Sequence, residues 1–334
     1  MITTVAPGRV QASPPLHARE LEAVGPEVTS VQFHEALGPD DHAVLSAWAT
    51  GRPQLGLRVF GNYRRDIQHL EFLRQYPALT GFGIDTMQGR EPVDLSGLRF
   101  LPADLHTLRL GVRAPVGADL DLLARLSALR SLAVSGQRRL PSFLSGYRDL
   151  QELSVEGPVA NLDSVATLPD LRRLTLRSVN AKALEPLTAL DRLDTLVVNL
   201  GSADDLRALP SVGRLRHLAL WQVRGLTDLS AIGELDELET LRLESLRQVT
   251  ALPDLSRLTR LHTIHLETMR GLSDLGPLRT APALRVLRLV GAGHLEPADL
   301  RPLVDHPTLQ RAGLGLGSIR RNRAAHELVG LPDA

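Results

Sequence analysis

The stretch GLTDLSAIGELDELETLRLES, residues 225–245, places apolar side chains at Leu226, Leu229, Ile232, Leu235, Leu238 and Leu241, then changes step and places the next at Leu243. An α-helical surface repeats near 3.6 residues and a strand at 2, so neither accounts for a run of threes. A 3₁₀ turn does, because side chains at i and i+3 eclipse and a threefold spacing lines one side of the chain. The closing L-x-L is a short strand with two side chains on its inner face. One coil therefore carries two periods: a return path in threes and a strand in twos.

The phrase L-x-x-L-x-L, with Val, Ile, Phe or Ala allowed for leucine, returns along the chain. It runs from Leu79/Phe82/Ile84 and Leu105/Leu108/Leu110, through Leu171/Leu174/Leu176 and Leu215/Leu218/Leu220, to Leu284/Leu287/Leu289 and Leu309/Ala312/Leu314, in steps of 21 to 26 residues. Two weaker copies precede these, at Val28/Val31/Phe33 and at Leu57/Val59, where Gln54 breaks the first position. Thirteen units thus cover residues 28–317. Pro77, Pro169, Pro282 and Pro307 stand two residues before the phrase, where a fixed φ suits extended entry and suppresses helix. No unit can bury its leucines alone, so neighbours must stack, with their short strands pairing in parallel at about 4.8 Å. The expectation is a curved solenoid.

This pattern resembles the leucine-rich-repeat family across nearly the whole chain. It is similar to the short-repeat bacterial, internalin-like type, in which the phrase is followed by L-x-D-L segments such as Leu226-Thr227-Asp228-Leu229 and Leu272-Ser273-Asp274-Leu275. The resemblance implies an α/β solenoid: a right-handed superhelix with a parallel concave β-sheet and a convex side of 3₁₀ and short helical turns. One departure is plain. The family commonly carries Asn or Cys at the ninth position of the phrase, where Asn bonds the turn backbone, whereas here that slot holds Val179, Val223, Leu246, Met269 and Ala292. Those turns must satisfy their backbone groups in another way.

Composition fits stacked layers. About a fifth of the 334 residues are leucine and only 3% are aromatic. With 38 basic and 38 acidic residues the formal charge is zero, so no excess positive field exists to hold nucleic acid or an anionic membrane. Cysteine is absent, which removes disulfides, thiolate metal sites and thiol nucleophiles. No basic and apolar leader precedes the repeats and no segment is long enough to span a bilayer, so a soluble, cytoplasmic protein is the expectation. An open stack needs caps. Residues 1–27, rich in Pro and Gly, read as a loose arm. Asp40 and Asp41 start a helix that carries Trp48 into the core. Residues 318–334 read as a capping helix, with Ile319, Leu328 and Val329 over the last coil and Arg320, Arg321 and Arg323 in water.

Catalytic and metal-binding patterns are missing. The 11 histidines are scattered without metal-ligand spacing. GLGLGS at 313–318 lacks the lysine of a phosphate loop and reads as the last strand and turn, and no nucleophile motif occurs. No cofactor is implied. Function is expected on the concave strand face, where phrase positions 3, 5 and 7 form columns. Opposite charges are expected to face each other there, Glu152 with Arg173 and Glu156 with Arg177. Trp221 stands mid-sheet, and Glu244 and Glu267 share a column beside Arg242 and His265. The expected partner surface is Arg173, Arg177, Asn199, His217, Trp221, Arg242, Glu244, His265, Glu267 and Arg288. Its occupant is expected to be a protein or peptide. Two other readings compete: a regulatory or targeting subunit acting through convex loops or the C-terminal helix, and a hydrolase or metal-dependent enzyme built on the Glu/His cluster.

Overall fold

Leu241 and Leu243 are fully buried while Arg242 between them is exposed, and that alternation makes Thr240–Glu244 a strand. The threes upstream fold as expected. The N–H of Ile232 donates to Leu229 O at 2.9 Å, that of Leu235 to Ile232 O at 3.2 Å, and that of Leu238 to Leu235 O at 2.9 Å. Each apolar residue bonds the one three places before it, and Ser230–Glu234 is a 3₁₀ turn. Fully burying one such leucine contributes roughly 1.5–3 kcal/mol.

A computed structural model of the chain describes residues 1–60, 70–85, 93–112, 120–135, 140, 142–159, 162–180 and 184–334. These form two units, Met1–Gly157 and Pro158–Ala334. The first contains β1 (Ile2–Ala6), β2 (Arg9–Ala12), α1 (Ala18–Glu22), β3 (Ser30–Phe33), α2 (Pro39–Thr50), β4 (Gly56–Phe60), β5 (Gly81–Asp85), β6 (Thr107–Gly111), β7 (Ser131–Ser135) and β8 (Glu152–Glu156). From β2 onward each strand of this unit pairs in parallel with the next. The second contains β9 (Arg173–Arg177), β10 (Thr195–Asn199), β11 (His217–Trp221), β12 (Thr240–Glu244), β13 (Thr263–Glu267), α3 (Gly276–Arg279), β14 (Val286–Val290), β15 (Arg311–Leu314) and α4 (Ile319–Val329). Here too consecutive strands pair in parallel. Every repeat phrase, weak copies included, falls on a strand from β3 to β15.

The loose arm expected over residues 1–27 is instead a folded cap. β1 and β2 form an antiparallel hairpin, closed by a turn in which Gly8 has φ 70°, and β2 pairs with β3. The edge of the stack is thereby paired rather than left open. Asp41 ties this cap to α2: one carboxylate oxygen accepts from the Gly38 N–H at 3.0 Å and the other from the Leu16 N–H at 2.6 Å. Trp48 is half-buried rather than in the core, with the Arg52 guanidinium 4.1 Å from its ring centroid. The buried members of that helix are Leu45 and His42, the latter stacked on Phe72 at 4.6 Å and bonded through Nδ1 to the Tyr76 hydroxyl at 2.8 Å.

At the other end, α4 starts at Ser318, whose Oγ accepts from the Arg321 N–H at 3.3 Å, and stops at Gly330 in the left-handed region, φ 71°. Its covering face differs from the expected one. Ala325 and Val329 are buried, whereas Ile319 is 81% and Leu328 38% exposed. Arg321 does not stay in water: it donates to the carbonyls of Gly293 and Leu295 and lies 3.1 Å from Glu296. A long side chain can cover a coil's edge with its stem while its head satisfies carbonyls, which frees Ile319 from that task.

Candidate functional site

The parallel register of the second unit turns phrase positions into columns. Position 3 aligns Arg173, Thr195, His217, Thr240 and Thr263; position 5 aligns Thr175, Val197, Ala219, Arg242, His265 and Arg288; position 7 aligns Arg177, Asn199, Trp221, Glu244, Glu267 and Val290. Side chains at these positions are half-buried or exposed, while the leucines between them are buried. They form the open face of the sheet.

Four expected residues come together on β12 and β13. Arg242 Nη2 donates to Glu244 Oε2 at 2.7 Å and to Glu267 Oε2 at 3.1 Å. One guanidinium thus answers two carboxylates that face each other in the register, an arrangement that would otherwise be unfavourable. His265 Nε2 sits 3.2 Å from Glu267 Oε2 without the alignment of a hydrogen bond. Burial holds the imidazole below its usual value, the neighbouring Arg242 adds to this, and Glu267 opposes it. Arg288 faces His265 in the next strand and is exposed.

Trp221 flanks this network, facing Glu244 on one side and Asn199 on the other. Its ring is half-buried rather than fully exposed, and its Nε1 is buried without a hydrogen-bond partner. His217 lies exposed at the other end of the same strand. Arg173 and Arg177 lie on β9, two strands before Trp221, and so apart from the network. Glu152 and Glu156 belong to β8 of the first unit. Among the described residues no group of three or more His, Cys, Asp or Glu could hold a metal ion, and no helix is long and apolar enough to cross a membrane.

A feature that sequence reasoning missed borders this face. The residue after each of the strands β9 to β13 adopts a left-handed backbone without being glycine: Ser178 (φ 56°), Leu200 (φ 57°), Gln222 (φ 50°), Ser245 (φ 54°) and Thr268 (φ 53°). Each N–H then reaches the next coil. Ser178 N donates to Asn199 O at 2.7 Å, Leu200 N to Trp221 O at 2.8 Å, Gln222 N to Glu244 O at 2.9 Å, and Ser245 N to Glu267 O at 2.8 Å. This ladder satisfies backbone groups in the turns that lack the family's Asn. The signal was the apolar ninth slot itself: Val179, Leu246 and Met269 are buried and offer no side-chain bond.

No protein-family model and no curated protein matches the sequence. Solved structures do match. An internalin (inlF) from Listeria monocytogenes is similar with a TM-score of 0.53 and 20% identity, covering 90% of this chain and 89% of that one. A leucine-rich-repeat protein of Leptospira interrogans gives a TM-score of 0.50 and 15% identity, covering 92% and 90%. The chain has the leucine-rich-repeat fold. TLR13, solved in complex with ssRNA13, shares that fold at a TM-score of 0.51 and 14% identity, with 90% of this chain aligned to 49% of the other. In this fold the leucines serve the layers, and the residues between them stand on the open face of the sheet.

Proposed function

We propose that the chain is a non-enzymatic recognition module that holds a protein or peptide partner on the concave face, centred on Trp221 and the Arg242 network. The observation that carries this is the placement of Trp221, a rare aromatic in this chain, beside a charge cluster whose members already hold one another in place. Trp and Arg are the usual anchors of protein interfaces, and side chains fixed before contact lose little entropy on binding. Asn199, His217 and Arg288 would form the polar rim, with Arg173 and Arg177 at its far side. The open, solvated face lacks the enclosure on which acid/base catalysis depends, which favours recognition over chemistry. The solved neighbours support the fold class, in which recognition by a repeated surface is the common use. A location in the cytoplasm belongs to the same proposal.

The test is affinity capture from the native cell followed by mass spectrometry, comparing the wild type with a Trp221→Ala, Arg242→Glu double variant. The variant is expected to keep its circular dichroism spectrum and lose a protein that the wild type retains. Identical capture by both would remove the concave face from consideration. A form lacking residues 318–334 separates this reading from one in which the C-terminal helix recruits the partner.

A further inference from the structure

Two residues beyond each left-handed turn the chain reaches phrase position 10, occupied in successive coils by Asn180, Ser202, Arg224, Arg247 and Arg270. Trp221 faces Glu244 and Glu244 faces Glu267, so the three arginines, each three residues further on, stand in consecutive coils. Parallel neighbours repeat at about 4.8 Å. All three side chains are exposed, and among the described residues none makes a hydrogen bond or ion pair with another side chain. Several other arginines of this unit find carboxylates, Arg192 with Asp170 at 2.5 Å, Arg216 with Glu239 at 3.7 Å and Arg242 with Glu244 at 2.7 Å, so what sets these three apart is that they follow one another at the same position in consecutive coils. The chain carries as many acidic as basic residues, 38 of each, so a row of like charges left unanswered is not a shortage of carboxylates. Such stacking is unfavourable in the free protein.

Arg224 and Arg247 of this row border a groove of about 900 Å³ along the C-terminal ends of the strands. Its walls include Arg224 and Arg247, the amides of Gln222 and Gln248, and the apolar Pro158 and Leu200. No acidic and no aromatic side chain is among its described walls.

We propose that this groove is a second docking surface, separate from the face around Trp221, and that its occupant is an acidic peptide segment of a protein partner. Guanidinium groups take carboxylates in paired hydrogen bonds, and a row of them would engage alternate carboxylates of an extended chain. Leu200 and Pro158 give apolar side chains of the same segment a footing. A single-stranded nucleic acid would match the charge but wants aromatic platforms for its bases, and the groove has none.

The probe is a fluorescein-labelled octapeptide of alternating Glu and Leu, titrated with the full chain and followed by fluorescence anisotropy at low ionic strength. Saturable binding is expected, weakened at ~0.5 M salt, where screening is strong. Arg224→Glu and Arg247→Glu are each expected to weaken it at least tenfold with an unchanged circular dichroism spectrum, and Arg247→Gln by less. Trp221→Ala is expected to bind the peptide normally, so failure here is distinguishable from failure of the concave-face reading. Three results would each overturn the proposal: no binding by the wild type, binding unaffected by the charge reversals, or equal binding of an oligothymidylate of the same charge.

Discussion

Arg242 and Glu244 lie two residues apart on β12, on the same face of the sheet, and their side chains meet at 2.7 Å. The same guanidinium nitrogen reaches Glu267 on the next strand, so one cation holds two carboxylates that the register sets opposite each other. Removing the cation should expose the repulsion. With Arg242 46% exposed at the side chain, screening limits the cost, and Arg242→Gln is expected to destabilise by about 0.5–1 kcal/mol at neutral pH. Adding Glu267→Gln should recover most of that loss. Urea denaturation of the two variants measures it, and a double variant no more stable than Arg242→Gln would mean that the carboxylates do not feel each other.

His42 gives the first unit a pH dependence. Burial among Phe33, Phe72 and Tyr76 pushes its pKa down to about 4 from 6.5, with Asp41 opposing the shift. Above pH 6.5 both folded and unfolded chains hold a neutral ring. As pH falls below that value the unfolded state takes up the proton first, so stability declines between 6.5 and about 4, by up to ~3 kcal/mol on the linkage relation. His306 and His265 in the second unit are shifted in the same direction by burial, which gives that unit a slope of the same sign. A His42→Gln variant, which keeps a polar partner for Tyr76, should show a shallower loss of urea stability from pH 7 to pH 4.5. An unchanged slope would assign the dependence to other groups.

The strands and return turns were legible because burial imposes them directly. Leu229, Ile232, Leu235 and Leu238 repeat in threes since a 3₁₀ path eclipses them, and Leu241 and Leu243 in twos since a strand alternates. The hairpin of residues 2–12 was legible in principle, as a Pro-Gly turn between the short runs ITTVA and RVQA, but its Pro and Gly content masked the alternation. At the site, the columns followed from period two, and with them the meeting of Arg242, Glu244 and Glu267. The left-handed row did not, because Leu200 and Thr268 are residue types that disfavour that backbone, and only tertiary hydrogen bonds hold them there. Ile319 shows the same limit from the other side: α4 could cover its coil in two ways, and the choice turned on where the Arg321 head found carbonyls.

Leu241 tests the layering itself. It is fully buried between Leu218 and Ile264 in the adjacent strands. Leu241→Ala should cost about 2–5 kcal/mol through lost contacts and the cavity left behind. Leu241→Asp places a carboxylate where neither water nor a cation reaches it, and should cost more than the alanine variant. Thermal denaturation ranks the two. Equal melting temperatures would show that the site admits water and that the layer is not sealed there.

Thr268 holds a β-branched side chain at φ 53°, a backbone that β-branched residues rarely adopt, while its N–H donates to Val290 O at 2.8 Å. Two substitutions pull these features apart. Thr268→Gly relieves the conformational strain and keeps the donor. Because glycine also gains freedom in the unfolded chain, the expected net gain is small, ~0.5–1 kcal/mol. Thr268→Pro cannot reach a positive φ and removes the N–H, and should lose about 3 kcal/mol or more. Hydrogen exchange at this amide in the wild type supplies the independent check: protection close to that of Leu266 N–H is expected if the ladder between coils holds the turn. Rapid exchange there, or a glycine variant less stable than the wild type, would mean that the threonine side chain and not the backbone bond keeps the left-handed geometry.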